Sequence, residues 1–488
     1  MNIATLLDMA AAGDPDRVVI GPHGSGTTCA RLRRTAAGVA AAVHAAGARE
    51  LVFAGVNGPS FPVMLFGAAL AGVPLVPVNY RLSPDALKEQ LSHVERPLVV
   101  ADEAFTGAFD EVRTPGSLIE EAMSVEPATG LEASPDDPAV LLFTSGTTAA
   151  PKAAVLRHRH LTSYVLGTVE FASAGPEDTV LTSVPPYHVA GVGSVLSNLY
   201  AGRRTVHLGA FEPEAWLALV RAERVTSAMV VPTMLARIVE HLDGRPAEVP
   251  TLRSLAYGGA RMPHTVLEAA LRAFPDTGFT NAYGLTETSS TIALLGPEDH
   301  RAALSSDDPA VRARLGSAGR MVPGVEAQVR RARQPGSPGE LWVRGPQVSG
   351  EYKGADALLD ADGWFPTRDL AHFDDDGYLF VSGRADDTII RGGENIAPAE
   401  IEDVLLRHTA VREAAVVGVP DEEWGERIAA FVVVHEGARV DAEALRAWVR
   451  ERLRGSRTPD TVVFLAELPY TPTGKLLRRQ LLETTQKG

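Results

Sequence analysis

Along the first half of the chain, short apolar runs alternate with helix-like segments, and this order restricts the fold more than any other feature. "LVFAGV" (51–56) ends in the turn signal Asn57-Gly58-Pro59. "SFPVMLFGAALAG" follows as a buried helix and "VPLVPVN" as a second buried strand. Helical "SPDALKEQLSHV" and strand-like "PLVVAD" repeat the cycle, and "AVLLF" (139–143), "TSAMVVP" (226–232) and "LRSLAYGG" (252–259) continue it. Apolar strands separated by helices imply a mostly parallel sheet covered on both faces. In such folds ligands gather beyond the carboxyl ends of strands. Conspicuous polar motifs follow strand-like runs at three places: Thr144–Lys152 after "AVLLF", Pro232-Thr233 after "SAMVV" and Tyr283–Glu287 after "TGFTNA".

From about residue 315 the texture changes. "GVEAQVR", "GELWVRG" and "GYLFVSGR" are short strands set off by Gly/Pro turns, the pattern of a small β-rich unit. After Arg384 the chain reads as a compact α+β module: helix "PAEIEDVLLRH", strands "REAAVVGV" and "RIAAFVVV", helix "DAEALRAWVRERLR", strand "TVVFL", and a last helix from Lys475. The expected class is therefore α/β. A large N-terminal domain of parallel-rich sheets and helices plus a small β unit spans 1–383, and a boundary falls at 384–387. A small mobile α+β domain spans 388–488.

Composition narrows the function. The net charge of −15 argues against broad binding of nucleic acid or anionic membranes. One cysteine, Cys29, excludes an internal disulfide framework and a cysteine-based zinc site. No basic start with an apolar core opens the chain, and no run of about 18 apolar residues occurs, so a cytoplasmic protein without an integral membrane segment is expected.

"TSGTTAAPK" (144–152) carries the chemistry furthest. Backbone N–H groups and hydroxyls in such a turn donate to phosphate oxygens, and Lys152 adds a point charge. A polar surface turn is the commoner use of such residues. Here a buried strand feeds the loop, Pro151 fixes its exit and Lys152 follows at once. In "NAYGLTET" (281–288), Tyr283 suits stacking on a flat base, Thr286 a phosphate, and Glu287 a magnesium ion. Alone, that cluster would read as a turn around a buried tyrosine. Asp369 in "GWFPTRDL" suits a ribose hydroxyl. Arg384 and Asp386 sit at the boundary, Gly392-Gly393 permits close backbone approach, and Lys475 stands on the turn "TPTGK".

In this order and spacing, the motifs resemble those of the adenylate-forming superfamily of acyl-CoA synthetases, nonribosomal adenylation domains and firefly-type luciferases. The resemblance spans nearly the whole chain and is nearest to freestanding fatty-acid or acyl-CoA ligases. It implies that Thr144, Ser145, Gly146, Thr147, Thr148 and Lys152 form a mobile loop over the ATP phosphates. Tyr283 and Gly284 would lie near adenine, with Gly259 and Ala260 lining the base. Thr286 would touch the α-phosphate, and Glu287 would ligate Mg²⁺. Asp369 and Arg384 would hold the ribose, and Asp386 would be the hinge. Lys475 would bridge the attacking carboxylate and the α-phosphate. CoA would lie along Gly392, Gly393, Trp424 and Arg457. Trp424 is equally compatible with simple packing.

The amino-acid-activating members place an aspartate near "PPYHVAGV" (185–192), and this chain has no acid there. His188 instead matches a gate residue of acyl- and aryl-CoA ligases. Tyr187, Val192, Val231, Met234, Tyr257 and Leu285 suggest an apolar pocket for a fatty or ring-containing acid. The implied activity is ATP-dependent acid–CoA ligation through acyl-AMP, with ATP, Mg²⁺ and CoA as cofactors. A freestanding enzyme that loads a carrier protein, and a degenerate nucleotide-binding protein, are the alternatives. A homodimer is left open. Departures from the family are Ala149 and Ala153, where glycine is usual, Arg368 in place of the glycine before the ribose aspartate, and Thr458 and Asp460 where CoA ligases are often basic.

Overall fold

The structure is a computed structural model that describes residues 1–125, 133–144, 152–332, 337–392, 394–421, 423–453, 455–470 and 476–485. Among these residues the strands form four sheets. The largest has a parallel centre, Arg204–His207, Thr179–Thr182, Ser227–Val230, Ser254–Gly258 and Gly278–Leu285. Strands Ser290–Leu295 and Arg320–Met321 extend it antiparallel at one edge, and Val18–Ile20 with Thr27–Thr28 complete the other. A second sheet orders Pro97–Ala101, Glu50–Ala54, Leu75–Pro77, Pro138–Thr144 and Lys152–Arg157, parallel except for its last pair. The expected mostly parallel architecture is thus present.

Helices cover these sheets for reasons legible in their sequences. Ser60–Ala71 is apolar on every side, so it is buried on every side, with Phe61, Met64, Leu65 and Phe66 in one core with Val39 and Val43 of helix Cys29–Ala45. Prolines open Pro84–Leu91, Pro213–Ala222 and Pro232–Leu242, where a missing N–H costs nothing.

The third sheet is wholly antiparallel: Glu326–Arg330, Gly339–Arg344, Phe365–Phe373 and Leu379–Arg384. Three of its strands match the β-rich unit expected from sequence. The fourth, Phe365–Phe373, runs through "GWFPTRDL" and is not among the strands expected from sequence, because Pro366, Arg368 and Asp369 interrupt the apolar alternation that would mark a strand. Tyr283, Gly284 and Leu285 likewise lie on strand Gly278–Leu285 and not beyond its end.

The fourth sheet belongs to the small C-terminal domain. Gly425–Val434 runs antiparallel to Val411–Asp421 and parallel to Thr461–Phe464, and Ile389–Arg391 pairs with Glu394–Ile396. Its two faces pack separate cores, one around Ile401, Leu405, Ile428 and Leu445, the other around Phe431, Leu468 and Leu481. The described part of the last helix is Arg478–Thr485. Among the described residues no helix is long and apolar enough to cross a membrane.

Candidate nucleotide and acid site

The antiparallel sheet builds the first cluster. Asp369 and Arg384 are register partners on adjacent strands, and Arg384 Nε lies 3.2 Å from Asp369 Oδ1. The Tyr283 hydroxyl donates to Asp369 Oδ2 at 2.5 Å. Burial, then the Asp369 charge, hold the Tyr283 phenol well above its usual range, so it stays a proton donor. Thr367 supports both partners: its carbonyl accepts from Arg384 Nη1 at 2.8 Å, and its hydroxyl accepts from the Asp369 N–H at 3.1 Å. Asp369 itself is 5% exposed. A buried carboxylate held by a guanidinium and a phenol is a rigid acceptor, suited to hydroxyls of a sugar.

Glu287 begins a second cluster. It lies in the turn Thr286–Thr288, next to strand Gly278–Leu285. The Tyr352 hydroxyl donates to its Oε1, and its carbonyl accepts from the Ser349 N–H at 2.8 Å. Thr288 closes the turn: its hydroxyl accepts from the Leu285 N–H at 2.9 Å and donates to Ser290 O at 2.8 Å. Gly284 has a packing reason to be glycine, since a Cβ there would sit 1.8 Å from Ser290 O. No group of three or more acidic, histidine or cysteine residues among the described ones could hold a metal. One oriented carboxylate does fit Mg²⁺, which takes one or two carboxylates and completes its shell with water and substrate phosphates.

Thr144 ends one strand and Lys152, exposed, begins the next, in register across the hairpin. Ser145, Gly146, Thr147 and Thr148 lie outside the described residues, as do Gly393 and Lys475. Gly259, at φ 82, and Ala260 are exposed just beyond strand Ser254–Gly258, where the chain turns away and leaves its backbone open.

The expected acid pocket divides. Val231 caps helix Pro232–Leu242, and Met234, Leu285 and Val231 are half-buried. Val192 and Tyr257 instead belong to the two main cores, and Tyr257 spends its hydroxyl on His300 Nε2 at 2.8 Å. The apolar bodies of these two are used in packing strands to helices. Tyr187 and His188 sit side by side, ring centroids 4.8 Å apart, at the start of helix Val189–Ala201. Tyr187 Oη and His188 Nε2 are both shielded from solvent and have no hydrogen-bond partner among the described residues. Burial lowers the His188 ring to about 4, so it is neutral at physiological pH, and pushes the Tyr187 phenol up.

In the small domain, Trp424 is 48% exposed and its carbonyl accepts from the Gly392 N–H at 2.7 Å. Arg457 is not a free cation: it pairs with Glu394 and Glu400, both at 2.7 Å. Asp460 is committed to Arg391 at 2.8 Å and to the Ile428 N–H at 2.8 Å, which explains an acid where a basic residue is common. Asp386 lies in the turn Ala385–Asp387, directly after the strand that carries Arg384. Sequence reasoning missed Tyr352 and Ser349, which lie outside any motif, and Thr367, which lies within "GWFPTRDL" but was given no role there.

Comparison with known proteins decides the family. The model for AMP-binding enzymes matches residues 7–353, and the model for the C-terminal domain of AMP-binding enzymes matches 400–475. The chain belongs to the AMP-binding enzyme family. It is 35% identical to a feruloyl-CoA synthase of Amycolatopsis sp, over 96% of each chain. It is 32% identical to a fatty acid–[acyl-carrier-protein] ligase of Streptomyces coeruleorubidus, over 96% of this chain and 94% of the relative. Among solved structures, o-succinylbenzoate CoA synthetase from Bacillus subtilis with its acyl-adenylate intermediate superposes with a TM-score of 0.85. The two are 29% identical over 98% of this chain and 97% of that one. The same enzyme solved with ATP and magnesium ion gives 0.84 at 29% identity, over 98% of each chain. The adenylate-forming fold and the acid–thiol ligase class read from the motifs stand on these findings.

Proposed function

We propose that this protein is an ATP-dependent acid–CoA ligase that acts on a ring-containing acid bearing a polar group. The observation that carries the reaction is the grip of Tyr283 and Arg384 on Asp369, with Glu287 oriented by Tyr352 near the end of the same strand. Asp369 accepts from the ribose hydroxyls of ATP. Glu287 would hold Mg²⁺, which would supply positive charge against the phosphates. The acid carboxylate attacks the α-phosphorus of ATP, and the bond to pyrophosphate breaks, giving acyl-AMP. A thiol then attacks the acyl carbon, and AMP leaves with the bonding electrons. Positioning and electrostatics supply most of the acceleration. Lys475 serves the first step. The chain divides at residues 384–387, and the part from 388 swings about Asp386 between the steps.

The polar group is inferred from Tyr187 and His188. A buried polar atom without a partner costs about 1–3 kcal/mol, a cost that a ligand atom removes. The feruloyl-CoA relative and the succinylbenzoate structure support a ring acid with oxygen substituents over a plain fatty acid. The deciding experiment is pyrophosphate release across saturated, aryl and polycyclic acids, with and without CoA. Substituted aryl acids should give the highest kcat/KM, and a preference for saturated chains would overturn the assignment. Tyr187→Phe should erase most of the preference for the polar substituent.

A second reading has one specific observation behind it. Arg457 is tied to two glutamates and Asp460 is acidic, so the region keeps little free charge for CoA phosphates. The carrier-protein relative fits that pattern. Product formation with a phosphopantetheinylated carrier protein but not with CoA would select it.

A further inference from the structure

Arg368 occupies a backbone position built for glycine. Its φ is 60, inside strand Phe365–Phe373, where an L-residue costs roughly 1–2 kcal/mol. The strand bulges at this point. Pro366 pairs with Trp342 and Leu370 with Glu340, so Thr367, Arg368 and Asp369 together span the single residue Leu341. Bulges turn side chains out of the alternating pattern and recur beside active sites. Here Thr367 and Asp369 on either side are buried at 2% and 5%, while Arg368 is exposed. Among the described residues Arg368 makes no hydrogen bond and no ion pair.

Strain retained beside a functional residue points to a use for the side chain. The neighbours of Arg368 say what use. The next residue is Asp369, the proposed sugar acceptor. Close enough to feel its charge is Tyr352, which donates to Glu287, the proposed magnesium ligand. Burial and Glu287 push the Tyr352 phenol up, and the charges of Arg368 and Arg384 pull it back down. Arg368 therefore neighbours the groups proposed to hold the sugar end and the metal end of a bound nucleotide, and the phosphates join those two ends.

We propose that Arg368 binds a phosphate oxygen of the nucleoside triphosphate. The inference rests on the assignment of this cleft as the ATP site. A planar guanidinium suits two-point contact with phosphate, and an unpaired one has no internal bond to give up first.

The experiment measures MgATP affinity by calorimetry on the full chain and on Arg368→Gly and Arg368→Lys, with thermal unfolding of each. Arg368→Gly should raise the melting temperature, because glycine relieves the backbone strain, and weaken MgATP binding about tenfold, the lower end for one charge-assisted hydrogen bond. Arg368→Lys, which keeps the charge but not the two-point fork, should fall between the other two. Unchanged MgATP binding in Arg368→Gly overturns the proposal and leaves the ATP site standing. Failure of the unmodified chain to bind MgATP overturns both.

Discussion

Asp369 and Arg384 face each other across one rung of an antiparallel sheet, the carboxylate 8% exposed and the guanidinium 37% exposed. The asymmetry sets what each substitution does. Arg384→Met takes the guanidinium away from a buried charge, and should cost about 1–3 kcal/mol of stability. Asp369→Asn keeps a neutral acceptor against Tyr283 and should cost less. Both should weaken ATP binding. Urea unfolding midpoints and calorimetry check this, and an Asp369→Asn variant less stable than Arg384→Met would count against the asymmetry.

Tyr352 and Glu287 form a testable pair. Glu287→Gln should raise the Mg²⁺ concentration needed for half-maximal pyrophosphate release while the fold persists. Tyr352→Phe should shift the same titration less, because the carboxylate keeps its charge and loses only its orientation. Identical Mg²⁺ titrations for all three proteins would reject Glu287 as the ligand.

Lys475→Ala should slow acyl-adenylate formation by roughly 10²–10³-fold, the range for losing one charge-stabilising donor. Attack of the thiol on supplied acyl-adenylate should be spared. Single-turnover pyrophosphate release separates the steps, and a normal burst in the variant would remove Lys475 from the first one.

Acid lability should centre on buried imidazoles. Burial lowers His158, His160, His188 and His207 from 6.5 to about 4. In two of them a bare nitrogen accepts a backbone N–H: His158 from Ile3 at 3.2 Å and His160 from Arg157 at 3.3 Å. The unfolded chain binds protons below pH 6.5 that the folded chain refuses until about pH 4. Stability is therefore complete above pH 6.5 and lost as pH falls toward 4, by up to about 3 kcal/mol for each ring. Urea midpoints at pH 7 and pH 5 measure the loss, and equal midpoints would contradict it.

The parallel sheets were legible because their strands are short, apolar and separated by helices of another period. The motif residues were legible because a loop after a strand and a lysine after a proline are local features. What was hidden is long-range or locally contradictory. Phe365–Phe373 does not read as a strand, since its middle is Thr-Arg-Asp and its pairing depends on a bulge. Tyr352 gives no local sign of its bond to Glu287, 65 residues away. Val192, on helix Val189–Ala201, and Tyr257, on strand Ser254–Gly258, carry the right chemistry for a pocket, but no local pattern says which apolar residues face a core and which a ligand.

Residue 384 ends a strand and residue 385 begins the turn at which the small domain is proposed to swing. The last rung of the sheet is thus also the root of the lever. A sugar seated on Asp369 would brace that rung further, beyond the Arg384 salt bridge, the Tyr283 phenol and the Thr367 carbonyl already on it. On that proposal occupancy would be sensed mechanically at the base of the moving part: a loaded enzyme would swing from a stiff mounting, and an unloaded one from a loose one.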